Sequence, residues 1–229
     1  MLIIVQARLN SERLPGKVLR EIAGKPMLKW IIERLKNTAN KNQIIIATSD
    51  KKADDLIDQF ARKEGISCFR GSLENVIDRF IKSCEKFNSP YFVRICGDSP
   101  LIDPKLIDRA IAISKDNNFD IITNVKKRTF PKGQSVELVK LDSLKKLYQE
   151  DLSSNEKEHV TRGFYQRKNN YKIVNFKSSN KIFSKIQLSV DTKDDFKKIE
   201  SLINLSLNKE GKLKYDYEEY ALLYLKKYG

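Results

Sequence analysis

The sequence has few of the residues that usually build disulfide frameworks or zinc sites. Its 229 residues include three cysteines and one histidine. Cys68, Cys84 and Cys96 are widely spaced and lie in apolar surroundings, which favours small buried residues over a disulfide framework or a zinc site. We therefore expect all three cysteines to lie in the core.

Long apolar runs are also absent. No segment approaches the ~18 residues that a membrane-crossing helix needs, and the N-terminus does not have the pattern of a signal peptide. We expect no membrane association and a cytoplasmic location. With 40% hydrophobic and 32% charged residues, and no internal repeat or linker, the chain is typical of one α/β domain, residues 1-229, with an ample core.

The chain carries an excess of positive charge, with 44 Lys and Arg against 30 Asp and Glu, a formal net charge of +14. Such an excess raises the hypothesis of nucleic-acid binding. The cations are scattered along the whole chain, however, so we expect no nucleic-acid partner. The densest cluster is Lys126-Lys127-Arg128 with Lys132. It either lines a site for an anionic substrate or is a solvated hairpin tip.

Strand and helix patterns alternate through the first half of the chain, which predicts a mostly parallel sheet with helices on both faces. Helices are expected from Pro26, over 52–63, from an N-cap at Ser72 and from Pro104. Apolar runs predict strands at 2–7, 43–48, 66–69 and 91–96.

Beyond residue 120 the pattern changes to a small antiparallel excursion. Strands are predicted at 121–123, 134–139, 171–176 and 186–190. Helices are predicted at 141–150 and 156–168. A further helix is predicted with Phe196, Ile199, Leu202 and Ile203 on one face, and a last one in the Tyr-rich C-terminal segment.

The first predicted strand runs directly into a cationic loop. Arg8, Arg13 and Lys17 lie within ten residues of one another among small and turn-forming residues. A buried strand followed by such a loop is how α/β folds build a phosphate pocket, and we expect a nucleoside triphosphate there. The P-loop pattern GxxxxGK[ST] is absent, so ordinary solvated cations are the alternative.

Acidic residues follow two later strands. Gly97 lets the backbone approach a ligand, and Asp98 lies just past a strand end, where a Mg²⁺-bound phosphate would be. The alternative role of Asp98 is to cap the helix that begins at Pro104. Asp191 follows another predicted strand, and Asp98 with Asp191 is a sufficient pair of protein ligands for Mg²⁺.

These motifs occur in one order along the chain. They are Gln6-Ala7-Arg8, Arg13-Leu14-Pro15-Gly16-Lys17, Gly24-Lys25-Pro26-Met27, Phe69-Arg70-Gly71-Ser72, Arg94-Ile95-Cys96-Gly97-Asp98-Ser99-Pro100-Leu101-Ile102, Pro131-Lys132-Gly133, Glu158-His159-Val160-Thr161 and Asp191-Thr192. In this order they resemble the CMP-sugar synthetases, and most closely the branch typified by spore coat polysaccharide biosynthesis protein F.

The resemblance implies a Rossmann-like nucleotide-diphosphosugar transferase (GT-A-like) fold, with an inserted acceptor-binding and dimer-forming element at about 124-185. It implies a Mg²⁺-dependent cytidylyltransferase of surface polysaccharide biosynthesis. Such an enzyme transfers CMP from CTP to an ulosonic or nonulosonic acid and releases pyrophosphate. It also implies a homodimer.

The resemblance assigns roles residue by residue. Arg8 and Lys17 match triphosphate-binding positions, with Arg13 as a helper, and Asp98 and Asp191 match the metal-binding acids. Arg8, Lys17 and Asp98 would be the catalytic residues, with Gly97 beside the nucleotide. The positions around the nucleobase and ribose are Ala7, Gly71, Ser72 and Asn75, and those around the acceptor are Glu137, Glu158, His159 and Thr161.

Alternatives to this assignment remain open. A uridylyl- or guanylyltransferase acting on a sugar phosphate is one, and a non-catalytic domain that binds polyanions is another. The sequence shows no obvious general base, and we expect His159 to contact the acceptor. Arg162-Gly163-Phe164 and Gln134-Ser135 depart from the family pattern, which leaves the identity of the acceptor open.

Overall fold

The protein is built on a seven-stranded sheet in a computed structural model that describes residues 1–39, 43–167 and 169–229. The strands are β1 (Leu2–Gln6), β2 (Glu21–Ile22), β3 (Lys25–Pro26), β4 (Gln43–Ser49), β5 (Ser67–Gly71), β6 (Tyr91–Cys96), β7 (Ile121–Thr123), β8 (Glu137–Lys140) and β9 (Ile173–Asn175). The helices are α1 (Met27–Leu35), α2 (Asp55–Lys63), α3 (Val76–Lys86), α4 (Pro104–Asp116), α5 (Leu141–Tyr148), α6 (Ser154–Glu158), α7 (Arg162–Gln166), α8 (Lys193–Ser206) and α9 (Tyr217–Tyr228).

The order of strands in the sheet is β5-β4-β1-β6-β8-β7-β9. The strands β5, β4, β1 and β6 are mutually parallel, whereas β8 runs antiparallel to both β6 and β7. The short strands β2 and β3 form a separate antiparallel pair. The prediction of a mostly parallel α/β sheet with a small antiparallel excursion is therefore confirmed.

Both faces of the sheet are covered by helices. Side chains of a strand alternate between the two faces, and in β1 Ile3 and Val5 join one apolar cluster while Leu2 and Ile4 join the other. The first cluster includes residues of α1, α2, α4, α8 and α9, and the second includes residues of α3, α5 and α7. A strand buried on both faces must be apolar at every position, which explains the continuous run at the N-terminus.

The start of α3 differs from the prediction. Asn75, not Ser72, is the N-cap, because the Asn75 side chain accepts a hydrogen bond from the Asp78 amide. Ser72 stabilises the turn that precedes the helix, since its hydroxyl oxygen accepts a hydrogen bond from the Asn75 amide. Both residues are good acceptors of orphan amides, and the tight turn between them decides which one caps the helix.

The single helix predicted over 156–168 is wrong, because the structure has two short helices there. A capping box between Ser153 and Glu156 opens α6, which ends at Glu158. His159 then leaves helical geometry, and Val160 turns inward until it is fully buried before α7 begins. The buried side chain of Val160 therefore lies in the break between α6 and α7. The predicted end at Lys168 lies outside the described residues.

The strand predicted over 186–190 is also absent from the described structure, apart from one bridge between Lys132 and Gln187. The alternation was informative, since Ile186, Leu188 and Val190 are all buried. Their backbone groups pair with loops instead of a neighbouring strand. The Val190 amide donates to the Asp98 carbonyl at 2.8 Å, which brings Asp191 beside Asp98.

The segment 124–185 contributes β8 and β9 to the sheet. Its role in acceptor binding or dimerisation stays a prediction. Among the described residues, no helix combines the length and apolar character needed to cross a membrane.

Gly133 lies against this 186–190 segment, and we predict that Gly133→Ala destabilises the fold more than Gly211→Ala. Both glycines have positive φ, +90° and +68°, so alanine costs about 1 kcal/mol of backbone strain at each. A Cβ at Gly133 would also lie 2.6 Å from the Leu188 carbonyl group, whereas Gly211 has open space. The clash adds about 1–3 kcal/mol. Urea unfolding followed by circular dichroism measures both losses, and equal losses would contradict the packing argument.

Candidate active site

A cleft of about 400 Å³ opens where β1 and β6 end. It gathers most of the residues that the sequence predicted for nucleotide, metal and acceptor binding. The predicted residues that line it are Ala7, Arg8, Arg13, Lys17, Gly97, Asp98, Glu158, His159 and Asp191. Further lining residues include Gln6, Arg94 and Cys96.

Lys17 lies at the centre of the charged part of the cleft. Its Nζ donates to the Val190 carbonyl at 2.6 Å and lies 3.3 Å from Asp98 Oδ2 and 3.4 Å from Asp191 Oδ1. Only 11% of the side chain is exposed. Arg13 adds a second cation, with Nη2 3.0 Å from Asp191 Oδ1. Two cations and two carboxylates are thus held within one small volume, with the carboxylates facing the same ammonium group.

Arg8 closes a different side of the cleft. Its Nη2 lies 2.9 Å from Glu158 Oε1, which joins the N-terminal loop to the end of α6. Both side chains are about 40% exposed, 42% and 40% respectively. Exposed ion pairs of this kind contribute only about 0–1 kcal/mol. A ligand that offers Arg8 a better anion can therefore displace Glu158 at little cost.

The cationic loop is fastened to the sheet by Asp54, a residue that sequence reasoning missed. Asp54 is 2% exposed, and one carboxylate oxygen accepts from the Leu9 amide at 2.7 Å. The other oxygen accepts from the amide and the hydroxyl of Ser49. The available signal was an acid just after the predicted strand 43–48, but it is equally typical of a helix start. Its partner Leu9 is 45 positions away.

Gly97 lets the ends of two strands meet. Its amide donates to the Gln6 carbonyl at 2.8 Å, and a Cβ at this position would lie 2.7 Å from the same oxygen. The alternative role of Asp98 as a helix cap is wrong, because Asp103 caps α4 by accepting from the Lys105 amide. Asp98 is thereby left free to face the cleft.

Gly71, Ser72 and Asn75 do not line this cleft. Gly71 is the last residue of β5, and Ser72 and Asn75 follow it, two strands away from β1 in the sheet and at the same carboxyl edge. Asn75 Nδ2 donates to the Tyr148 hydroxyl at 2.7 Å, and the Ser72 carbonyl accepts from Arg79. Arg79 is 1% exposed, and burial lowers its pKa to about 10. The nucleobase and ribose roles of these positions stay predictions.

Glu137 and Thr161 are both buried and lie outside the lining of the cleft. Glu137 is directly below it, since Oε2 accepts from Arg94 Nη1 at 2.6 Å and the other oxygen accepts from the Tyr165 hydroxyl. Burial raises the pKa of Tyr165 well above its usual value, and Glu137 adds to the shift. Tyr165 is therefore a stable proton donor to Glu137.

The cysteines correct one expectation. Cys84 is fully buried, but Cys68 and Cys96 are only partly buried, and Cys96 lines the cleft because β6 ends there. Burial raises the pKa of Cys96, and that of Cys68 to about 12. A thiol that stays protonated is a poor nucleophile, so the chemistry of the cleft rests on its charged groups.

A larger cleft, about 590 Å³, lies beside Trp30, Arg34 and Tyr215. None of the predicted site residues lines it. Size alone does not identify an active site, and convergent charged groups are the better criterion. The smaller cleft is therefore the candidate active site.

In the described parts of the chain, no group of three or more His, Cys, Asp and Glu side chains is arranged to hold a metal ion. Asp98 and Asp191 offer two carboxylates that face one point, now filled by the Lys17 ammonium. Two hard oxygen donors suit Mg²⁺, which takes one or two protein carboxylates and keeps water or phosphate oxygens for the rest.

A family model described as Cytidylyltransferase matches residues 2–226. The chain belongs to the cytidylyltransferase family.

A curated protein and a solved structure are each similar to most of this chain. The spore coat polysaccharide biosynthesis protein SpsF of Bacillus subtilis is 33% identical over 210 residues, 88% of this chain and 85% of SpsF. A cytidylyltransferase structure from Leptospira borgpetersenii superposes with a TM-score of 0.92 at 30% identity, covering 98% of this chain and 93% of that one.

A more distant structure supports the fold alone. CMP:2-keto-3-deoxy-manno-octonic acid synthetase, solved in complex with CTP, superposes with a TM-score of 0.69 at 20% identity. The superposition covers 90% of this chain and 99% of the synthetase. The expected Rossmann-like nucleotidyltransferase fold is confirmed.

We predict that Asp54→Ala loosens the cationic loop of this cytidylyltransferase. Removing the carboxylate leaves the Leu9 and Ser49 amides without their acceptor, which costs about 1–3 kcal/mol. Hydrogen exchange followed by mass spectrometry should show faster exchange over residues 7–17. Asp55→Ala is the control, because Asp55 is the next residue along the chain and its carboxylate makes a partly buried ion pair with Arg70. Unchanged protection in Asp54→Ala would show that the loop is held by other contacts.

Proposed function

We propose that this cytidylyltransferase transfers CMP from CTP to a hydroxyl group of an ulosonic or nonulosonic sugar acid, releases pyrophosphate and uses Mg²⁺. The observation that carries the proposal is the cleft in which Arg13 and Lys17 face Asp98 and Asp191, with Arg8 on another side of the same cleft. The name of the synthetase solved with CTP supports the choice of reactants.

The reaction sets a clear electrostatic task. The acceptor oxygen forms a bond to the α-phosphorus of CTP while the bond from that phosphorus to the bridging oxygen of pyrophosphate breaks. The acceptor hydroxyl also loses a proton, which passes to solvent. Negative charge therefore accumulates on the leaving group, and the protein must hold two anionic reactants in line.

The three cations of the cleft are suited to this task. Each of Arg8, Arg13 and Lys17 contacts a carboxylate in the structure. A triphosphate oxygen can replace that carboxylate as acceptor of the same hydrogen bonds, and Lys17 leaves the point between Asp98 and Asp191 when Mg²⁺ is held there. Lys17, largely buried, acts in a low-dielectric position where a charge contributes most to stabilisation of the leaving group.

Asp98 and Asp191 would hold the Mg²⁺ ion. The two residues are far apart in the sequence, but the hydrogen bond from the Val190 amide to the Asp98 carbonyl holds their loops side by side. When bound, Mg²⁺ supplies further positive charge to the phosphate oxygens. His159, exposed on the opposite wall, would contact the acceptor.

We further propose that the product enters surface polysaccharide biosynthesis, by likeness to SpsF. The homodimer and the cytoplasmic location stay predictions.

The direct test supplies each of the four nucleoside triphosphates with Mg²⁺ and a panel of sugar acids and sugar phosphates. We expect a CMP-sugar, identified by mass, with CTP and a sugar acid. Product from UTP or GTP with a sugar phosphate would establish the alternative transferase instead. No product with any pair, together with salt-dependent retention on DNA, would indicate a polyanion-binding domain.

We predict that Asp98→Asn and Lys17→Ala each reduce turnover at least ~100-fold without unfolding the protein, because each removes a charge that stabilises the reacting phosphates. Steady-state pyrophosphate release measures the effect. Arg20→Ala is the matched control, since Arg20 is an exposed cation of the same region that donates to the Pro15 carbonyl, and it should retain turnover. Near-normal turnover in either site variant would contradict the assignment.

A further inference from the structure

One face of the sheet changes from apolar to polar as it approaches the cleft. Deep in the sheet this face carries Ile4, Phe92 and Val139, all in one apolar cluster. Toward the cleft, the residues on the same face of these strands and of β7 are polar. We name this set the polar floor: Gln6, Arg94, Cys96, Thr123 and Glu137.

Arg94 is the central member of the polar floor. Its Nε donates to Gln6 Oε1 at 3.0 Å and its Nη1 to Glu137 Oε2 at 2.6 Å, so two sides of the guanidinium group are fixed. The side chain is 15% exposed and lines the cleft. Within the described residues, Nη2 has no acceptor. A guanidinium group anchored on two edges presents its remaining donors in a fixed direction.

A second arginine, Arg128, interacts electrostatically with Glu137 of the polar floor. Arg128 comes from the basic cluster noted in the sequence, but unlike the exposed Lys126 and Lys127 it is partly buried and donates to Ser135 Oγ at 3.2 Å. No ion pair of Arg128 with a carboxylate is found in the described chain. Burial lowers the pKa of Arg128, while Glu137 opposes the shift. Glu137 thus attracts Arg128 without forming an ion pair with it, whereas it does form an ion pair with Arg94.

A guanidinium group with free donors in the wall of a cleft favours an anionic ligand group. A carboxylate brings about one negative charge and two oxygens that match the guanidinium fork, whereas a phosphomonoester brings about 1.5–2 negative charges.

We propose that Arg94, positioned by Gln6 and Glu137, binds the carboxylate of the acceptor and thereby selects sugar acids. The proposal rests on the proposed function and names its specificity-determining residue. Arg94 acts by binding substrate, whereas Glu137 acts through Arg94 as a positioning residue. This assignment differs from the direct acceptor contact expected of Glu137, because Glu137 lies beneath the cleft and not in its wall.

The test compares 2-keto-3-deoxy-manno-octonic acid with its C1 carboxamide, which keeps the shape and removes the charge. For the unmodified protein we expect kcat/KM to favour the acid at least ~100-fold, as for sites built to pair a polar substrate group. In Arg94→Met/Glu137→Gln the preference should fall to within a few-fold of one. The double variant is used because Arg94→Met alone would leave Glu137 buried without its cation.

Arg94→Lys keeps the charge but loses the fork that pairs with Gln6 and Glu137, so its preference should be intermediate. Arg162→Met is the matched control, because Arg162 is an exposed arginine at the start of α7, and it should keep the full preference. The dissociation constant for CTP, measured by calorimetry, should be unchanged within about threefold in the double variant.

Calorimetric binding of the acid and the carboxamide separates this proposal from the proposed function. If no acceptor is turned over but the acid binds more tightly than the amide only when Arg94 is present, the proposed function fails and the carboxylate site stands. If the acid is turned over and the double variant still prefers it at least ~100-fold, the carboxylate site is overturned and the proposed function stands. Equal binding of acid and amide to the unmodified protein also overturns it.

Discussion

The contact on which the site depends is the one between the Lys17 ammonium group and three distant oxygens. It joins the N-terminal loop to Asp98, 81 positions away, and to the Val190 carbonyl, 173 positions away. Without this cation, the carboxylates of Asp98 and Asp191 would face each other unscreened and repel. One buried ammonium group therefore aligns the three segments that the proposed chemistry requires. It also makes the ligand-free cleft internally balanced, although the chain as a whole carries +14.

Much of this arrangement follows from sequence patterns, because the relevant interactions are local. The parallel strands, the helices that cover them and the acidic and cationic loops at strand ends are all set by apolar periodicity and by turn-forming residues. Strand β6 coincides with its predicted limits, 91–96. Local chemistry also predicted that Arg13, Lys17 and Asp98 would meet, since parallel strands end at one edge.

The features that sequence reasoning missed depend on partners remote in the chain. Asp54 meets Leu9 only because β1 and β4 are neighbours, and Arg94 meets Gln6 and Glu137 across two strand pairs. The segment 186–190 alternates between buried and less buried residues, as a strand does. Its backbone groups form hydrogen bonds with loops, however, and not with a neighbouring strand. The periodicity of apolar side chains predicts which face of a segment is buried, but it does not predict which neighbouring segment forms hydrogen bonds with its backbone.

The antiparallel strand explains why the cleft has two chemically different sides. In a parallel strand the residue at the cleft edge is the last one, and the chain then leaves through a loop. Because β8 runs the other way, its first residue, Glu137, lies at that edge beside Arg94. The segment before β8 also carries Arg128 and Ser135, which form a hydrogen bond with each other. The single reversal of strand direction thus supplies the carboxylate that positions Arg94, while the loops after the parallel strands supply Lys17, Asp98 and Arg13.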